Sequence, residues 1–157
     1  MNTWFECRAK YVKIDETGRE KKVNEAYLID AVSFTEAESR IYKELEQMIS
    51  GEFTVTKIAK TNIAEIIPTE DGDRWFKAKV TFISIDEDNG KEKKVSQYVL
   101  VLANNVKQAF ERVESGMEGM TVDFEIPTVS ESPIMDVFPY FSNDGSAPKE
   151  EEVAEKA

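Results

Sequence analysis

Two stretches of the chain alternate apolar with other residues, which is the period of a strand with one buried face. Their apolar positions are Phe5, Cys7, Ala9 and Tyr11 in the first stretch and Phe76, Ala78, Val80 and Phe82 in the second. Each stretch runs into a turn rich in Asp and Gly, and strand-forming residues resume after the turn and continue to about Ala31 or Ala103. The pattern therefore predicts two β-hairpins.

A helix is predicted after each hairpin, because the apolar spacing changes there to three and four residues. The apolar positions are Phe34, Ala37, Ile41, Leu45 and Met48 in the first helix and Val106, Ala109, Phe110, Val113 and Met117 in the second. Ser33 and Glu36 have the spacing of a capping box, and Asn105 with Gln108 is a weaker form of it. Each helix thus has a marked start and one apolar side.

An extended stretch closes each segment, over residues 52–67 and 121–138. A break is expected near Thr61 and Asn62 in the first stretch. In the second stretch it is expected at Pro127 or Pro133, because proline cannot donate a hydrogen bond to the neighbouring strand. The resulting unit is ββαβ.

The two units are copies of one another. At a shift of 71 residues Trp4-Phe5 lies over Trp75-Phe76, and at a shift of 72 the run Glu-Lys-Lys-Val at residues 20–23 lies over the same run at 92–95. Ten of the twenty positions 4–23 are identical, which chance does not explain. A tandem duplication is the interpretation.

The expected architecture is an α+β fold with pseudo-twofold symmetry, in which the copies share one antiparallel sheet and both helices pack on it. The first repeat spans residues 1–68, a connector 69–74, and the second repeat 75–141, all in one compact domain. Residues 142–157 are acidic and poor in apolar side chains, and are expected to form a disordered tail.

Composition removes several classes of function. The chain has no histidine, which takes away the commonest general base and zinc ligand, and none of its seven glycines forms a phosphate loop. A calcium loop starting at Asp86 would place Lys91 where glycine and Gln97 where glutamate is required, so hairpin turns are the better interpretation. We expect no catalytic residue, metal or cofactor, although carboxylates converging from distant positions leave a metal-dependent enzyme as the least favoured alternative.

The single cysteine, Cys7, is expected to be a buried small side chain rather than a reactive thiol. The chain shows no apolar run of membrane-spanning length, and its first residues do not resemble a signal peptide. A cytoplasmic location is the expectation.

Charge is distributed unevenly. The net charge of -11 argues against a protein whose whole surface binds DNA, yet twelve of the twenty basic residues lie in the two hairpins. Strand alternation places a tryptophan beside cations in each copy. The candidate binding residues for nucleic acid or another partner are Trp4, Arg8, Lys10, Lys21, Lys22, Trp75, Lys77, Lys79, Lys93 and Lys94.

Two interpretations of these residues remain open. Cationic grooves with aromatic platforms are typical of proteins that bind single-stranded nucleic acid. Alternatively, the tryptophans cover the end of the sheet and the lysines discourage pairing at its edges. The first interpretation predicts a non-enzymatic accessory protein that binds single-stranded nucleic acid or a nucleic-acid-processing protein. A second hypothesis is an acidic interaction or inhibitor module that imitates the charge of DNA.

Several motifs carry a resemblance to a known family. They are the two Trp-Phe starts, Ser-Phe-Thr-Glu-Ala-Glu at 33–38, Ile-Ser-Gly-Glu-Phe-Thr-Val at 49–55, Asp-Arg-Trp-Phe-Lys at 73–77 and Met-Asp-Val-Phe-Pro-Tyr at 135–140. The chain resembles, over about residues 2–140, a family of uncharacterised proteins with a domain of unknown function from gut anaerobic bacteria and their phages or mobile elements. The resemblance implies a context among phage or integrated-element genes and supplies no catalytic or binding residue.

Overall fold

The computed structural model describes residues 3–67, 69 and 71–139, which contain eight strands and two helices. The elements in chain order are β1 (Thr3–Ile14), β2 (Glu20–Ala31), α1 (Phe34–Met48), β3 (Phe53–Lys60), β4 (Ile63–Ile67), β5 (Arg74–Ile85), β6 (Glu92–Ala103), α2 (Val106–Gly116), β7 (Asp123–Glu131) and β8 (Ile134–Phe138). The α+β class is confirmed. Each closing stretch is two strands, broken at residues 61–62 and 132–133, so the repeated order is ββαββ. The tail expected at 142–157 lies outside the described residues.

The strands form two four-stranded sheets. Sheet A has the order β3-β1-β2-β8 and sheet B the order β4-β6-β5-β7. The expectation of one shared sheet is therefore wrong, because each hairpin is completed on one side by the strand that follows its own helix. Sheet B is also not purely antiparallel, since β4 runs parallel to β6.

The last strand of each predicted repeat lies in the sheet formed mainly by the other one. Ile66 and Ile67 of β4 pair with Leu100 and Val101 of β6, and β8 lies beside β2 at the edge of sheet A. Within the described residues two compact units result: unit 1 comprises residues 3–61 and 136–139, and unit 2 comprises residues 62–67, 69 and 71–135. These units cross the repeat boundaries expected from the sequence.

The core of unit 1 forms between one face of sheet A and the apolar side of α1. Alternation in β1 and β2 places six buried residues on that face, and α1 supplies three more at helical spacing. These are Phe5, Cys7, Ala9, Tyr27, Ile29, Ala31, Ala37, Ile41 and Leu45. The ring of Phe138 in β8 stacks on Tyr27 with centroids 5.8 Å apart, so the eighth strand joins this core.

Unit 2 repeats this arrangement with different side chains. Its buried cluster, which includes a residue of β4, consists of Ile67, Phe76, Ala78, Val80, Val99, Val101, Ala103, Ala109, Val113 and Met117. An added Cβ at Gly116 would lie 3.2 Å from Ile67, so the end of α2 and strand β4 pack with little space between them.

Both helices begin at the predicted caps. The Ser33 hydroxyl accepts a hydrogen bond from the amide of Glu36 at 3.1 Å, and the Glu36 carboxylate accepts one from the amide of Val32 at 3.1 Å. In α2 the Asn105 side chain accepts from the Gln108 amide at 2.8 Å, and the Gln108 side chain accepts from the Asn104 amide at 2.8 Å. The amides of Glu36 and Gln108 are donors that the helix itself leaves unpaired, and the caps satisfy them.

Side-chain hydrogen bonds close the first hairpin turn. The Asp15 carboxylate accepts bonds from the Thr17 hydroxyl at 2.7 Å and from the amides of Thr17 and Arg19, and these bonds lower the pKa of Asp15. Gly18 has a φ of +83°, which favours glycine. Asp15 therefore stabilises the turn conformation.

Candidate interaction surface

Each sheet has a face on which its helix packs and an opposite face, called here the helix-free face. Strand alternation and the antiparallel register place eight of the ten candidate residues on the helix-free faces. They are Trp4, Arg8, Lys10 and Lys22 in sheet A, and Trp75, Lys77, Lys79 and Lys94 in sheet B. The structure thus brings together most of each predicted set within its own sheet.

Two candidates lie on the other face. Lys21 pairs with Lys13 and Lys93 pairs with Ser84, positions that alternate with the helix-free rows. Because neighbouring residues of a strand point to opposite sides, Lys21 and Lys22 cannot contribute to one surface.

The helix-free faces are not open along their whole length. Leu28 and Leu100 lie on these faces and are fully buried, while Trp4 and Trp75 are half-buried. Lys10, Lys22 and Lys94, nearer the hairpin turns, are exposed. Exposure therefore increases toward the turn-side half of each surface, and Lys77 and Lys79, farther from the turn, are half-buried.

The tryptophan backbones have a structural role. The carbonyl oxygen of Trp4 accepts a hydrogen bond from the Thr61 amide at 2.9 Å, and that of Trp75 accepts one from the Ser132 amide at 2.8 Å. These bonds tie the start of each hairpin to the break in its closing stretch, and because the backbone makes them they do not depend on the tryptophan side chains.

In sheet A the charge of Arg8 is compensated. Its Nε donates to the Glu6 carboxylate at 2.7 Å, and the Nζ of Lys57 lies 3.9 Å from the same carboxylate oxygen. Glu6 therefore balances part of the positive charge on this face.

On the helix-free face of sheet B the lysines lack such compensation. The residue aligned with Glu6 is Lys77, whose Nζ lies 4.5 Å from the centre of the Tyr98 ring. Lys79 is directly opposite Tyr98 in the register, and Lys94 is opposite Ile83. Among the described residues no carboxylate lies within 4.0 Å of the ammonium groups of Lys77, Lys79 or Lys94. These three lysines thus share one face of sheet B with the aromatic rings of Trp75 and Tyr98.

Lys10 and Lys22 have a different setting in unit 1. Both line an open cavity of about 460 Å³, together with Val12, Asn24 and Thr54 of the same face. The aligned positions in unit 2 include Thr81 and Ser96, whose hydroxyls lie 3.0 Å apart. The two units therefore differ most at the turn-side half of their faces.

On the helix side of sheet A, two tyrosines share one carboxylate. Glu25 accepts hydrogen bonds from Tyr11 at 2.5 Å and Tyr27 at 2.9 Å, and Lys13 lies 3.4 Å away. Burial by itself would raise the pKa of Glu25. The hydrogen bonds from the two tyrosines and the charge of Lys13 outweigh the effect of burial, so the pKa of Glu25 is lowered. The pKa of Tyr27 is raised by burial and by the Glu25 carboxylate. The cluster has a structural role, because its charged and hydroxyl groups satisfy each other's hydrogen-bonding capacity.

Some residues of these surfaces were not among the sequence-derived candidates. Tyr98 completes the aromatic pair of sheet B, and Asn24 and Thr54 complete the polar lining in unit 1. Tyr98 was detectable, since it alternates with Lys94 and Ser96 along one strand. Thr54 was not, because its place depends on the pairing of β3 with β1.

Other chemistry in the described part of the chain is sparse. No group of three or more Asp, Glu, His or Cys side chains there has a metal-binding arrangement. Burial raises the pKa of the Cys7 thiol to about 12. Among the residues described, no helix has the length and apolar character needed to cross a bilayer.

Comparison with curated proteins gives no match, and comparison with solved structures gives none either. The model of one protein family matches residues 3–140. The match covers both sheets and both helices of the chain. The protein belongs to the family described as a domain of unknown function, DUF4494.

Proposed function

We propose that the protein is a non-enzymatic binding protein that holds single-stranded nucleic acid against the helix-free face of sheet B. It acts as an accessory factor in nucleic-acid transactions of phages or integrated elements, a context suggested by its motifs. The observation that carries the proposal is the set of three lysines without carboxylate partners, Lys77, Lys79 and Lys94, on one face with two aromatic side chains.

Single strands suit this surface better than duplex DNA. A single strand exposes its bases, which stack on aromatic rings, while its phosphates contact nearby cations. Lys77, Lys79 and Lys94 supply the cations, and Trp75 and Tyr98 are the aromatic residues nearest to them on this face. A net charge of -11 repels an extended duplex from most of the chain, whereas one short cationic face still permits local contact.

We also propose that the chain arose by tandem duplication. Equivalent contacts support this origin beyond the element order. Arg40 of α1 donates to the carbonyl oxygen of Asp30 at the end of β2, and Arg112 of α2 donates to that of Leu102 at the end of β6, at 2.8 Å in the second case. The surface of sheet B, however, is a property of one copy, because Glu6 occupies the position of Lys77 in the other.

A second candidate function is an interaction module for a basic protein. Helix α1 contains four glutamates, of which Glu38 and Glu46 are exposed. An acidic helix of this kind suits a cationic partner. Co-purification from the native host separates the two candidates, since this one predicts a basic protein and the first predicts nucleic acid.

Fluorescence anisotropy with labelled oligonucleotides tests the proposal. At low salt, the wild-type protein should bind a single-stranded oligonucleotide more tightly than the duplex of the same length. The double variant Lys79→Glu, Lys94→Glu should bind at least tenfold more weakly, because each lost contact to phosphate is worth roughly 1.5–3 kcal/mol. The control Lys107→Glu reverses the charge of one exposed lysine on α2, away from this face, and changes the net charge by half as much as the double variant. Absence of binding at micromolar protein, or equal weakening by the control, would contradict the proposal.

A further inference from the structure

The turn-side half of the helix-free face in unit 1 contains a cavity of about 460 Å³. Its polar lining comes from three strands: Lys10 of β1, Lys22 and Asn24 of β2, and Thr54 of β3. Volumes of about 300–1,000 Å³ are typical of sites for small molecules. The cavity is therefore large enough for a ligand of nucleotide size.

The lysines of this cavity are close enough to share one anion. Asn24 is directly opposite Lys10 in the register, and Lys22 lies two residues before Asn24 on β2, so Lys10 and Lys22 are diagonal neighbours. Diagonal neighbours on one face are separated by roughly 7–8 Å at the backbone. Two lysine side chains across that distance can converge on a single phosphate group.

None of the four polar side chains is used elsewhere in the described structure. Lys10 and Lys22 have no carboxylate within 4.0 Å, and no described residue hydrogen-bonds to the side chains of Asn24 or Thr54. All four are exposed and line the same cavity. By contrast, Arg8 on the same face is already bound to Glu6.

The rest of the lining favours an organic phosphate over a free ion. Val12 lies opposite Lys22 in the register on the same face and is 48% exposed. Its apolar side chain suits the apolar part of a ligand whose phosphate lies between the lysines. Glu52 is the one acidic residue of the lining, and its charge opposes an anion.

We propose that this cavity binds a phosphate-bearing small molecule of nucleotide size, with the phosphate held by Lys10 and Lys22 and by the side chains of Asn24 and Thr54. The inference does not depend on the proposed function, because no residue of sheet B takes part in it. Unit 2 has no equivalent cation pair: Thr81 stands at the position of Lys10, and its hydroxyl lies 3.0 Å from that of Ser96.

Titration of the isotope-labelled full chain, followed by backbone amide NMR, tests the inference. The probes are thymidine 5′-monophosphate and thymidine, which differ only by the phosphate. The monophosphate should shift the amide signals of residues 10–12, 22–24 and 54 at millimolar concentration, and thymidine should leave them unchanged. Absence of these shifts with the monophosphate, or equal shifts with thymidine, would overturn the inference.

Variants sharpen this test. Replacing both lysines, Lys10→Gln with Lys22→Gln, should weaken binding at least tenfold, because hydrogen bonds to a charged group are lost. Lys21→Gln is the matched control, since this neighbour lies on the opposite face and should have no effect. Glu52→Gln should strengthen binding by removing a repulsive charge. Unchanged affinity in the double variant, or weaker binding in Glu52→Gln, would contradict the site.

An oligothymidylate distinguishes the source of the phosphate. If the oligothymidylate shifts the amide signals of the same residues at a lower concentration than the monophosphate does, the result would support the phosphate site and would assign its ligand to nucleic acid. The spectrum reports folding of each variant directly, and the double variant keeps all three lysines of sheet B. If the double variant fails to bind the monophosphate but still binds the oligonucleotide in the anisotropy assay, only this inference is affected. If the wild-type protein binds the monophosphate but not the oligonucleotide in that assay, only the proposed function is affected.

Discussion

The tyrosine pair bound to Glu25 should make the stability of unit 1 depend on pH in a defined way. Tyr27→Phe removes one hydroxyl, which donates to the carboxylate at 2.9 Å, and changes little else because the ring remains. Tyr27 is 2% exposed, so solvent does not replace the lost hydrogen bond. A hydrogen bond to a charged group contributes roughly 1.5–3 kcal/mol. Since Glu25 keeps Tyr11 at 2.5 Å and Lys13 at 3.4 Å, we expect a loss of about 1.5 kcal/mol near neutral pH, the lower end of that range.

The pH dependence follows from the lowered pKa of Glu25, in which hydrogen bonds from the tyrosines outweigh the opposing effect of burial. A carboxylate with a lowered pKa contributes stability above its unfolded value of 4.5, and that stability is lost as the pH falls through the folded value. The difference between wild type and Tyr27→Phe should therefore be full at neutral pH and shrink below about pH 4.5.

Urea unfolding measured at neutral pH and at about pH 3 gives both quantities. Tyr42→Phe is the control, because Tyr42 is 37% exposed, no described residue hydrogen-bonds to its hydroxyl, and it should change stability by less than about 0.5 kcal/mol. Equal destabilisation by Tyr27→Phe at both pH values would refute the reasoning, and so would no destabilisation at neutral pH.

Three further predictions concern stability and reactivity. Cys7 should resist alkylation in the native protein near pH 8, since burial raises the pKa of its thiol to about 12. Unfolding should make the thiol reactive, which mass spectrometry would detect. Rapid labelling of the native protein would contradict this prediction. Gly72→Ala should cost more than about 2 kcal/mol in urea unfolding, because φ is +153° and the new Cβ would lie 2.7 Å from the amide nitrogen of Ala103. Gly51→Ala, with φ +121° and open space, should cost clearly less, and equal costs would contradict the steric argument. Arg112→Ala should destabilise unit 2 by about 1.5–3 kcal/mol, because this side chain binds the carbonyl at the end of β6 and the chain before β5, and an unchanged melting temperature would contradict that role.

Local features of the fold could be predicted because they depend on neighbouring residues. The alternation around Phe5 and Phe76 located the hairpins, and side-chain chemistry at Ser33 and Asn105 located the helix starts within one residue. The division into two sheets could not be predicted in this way. Strand β4 has only five residues, and nothing in its pattern states that it pairs in parallel with β6.

The candidate site could be predicted from the sequence to a similar extent. Alternation correctly grouped Lys77 with Lys79 and already implied that Lys21 and Lys22 lie on opposite faces. The burial of Leu28 and Leu100 on the helix-free faces was not predictable, because both sides of those strands are apolar. The pairing of Arg8 with Glu6 also required a structure, since a charge pattern does not reveal which groups meet.

The central claim is that the lysines of sheet B without carboxylate partners contact phosphates. The salt dependence of oligonucleotide binding tests this claim most directly. For single strands the slope of log affinity against log salt is about −0.7 for each phosphate contact. The double variant Lys79→Glu, Lys94→Glu should therefore reduce the steepness of the slope by about 1.4 relative to wild type, while Lys107→Glu should leave it unchanged. The same slope for wild type and the double variant would contradict the account.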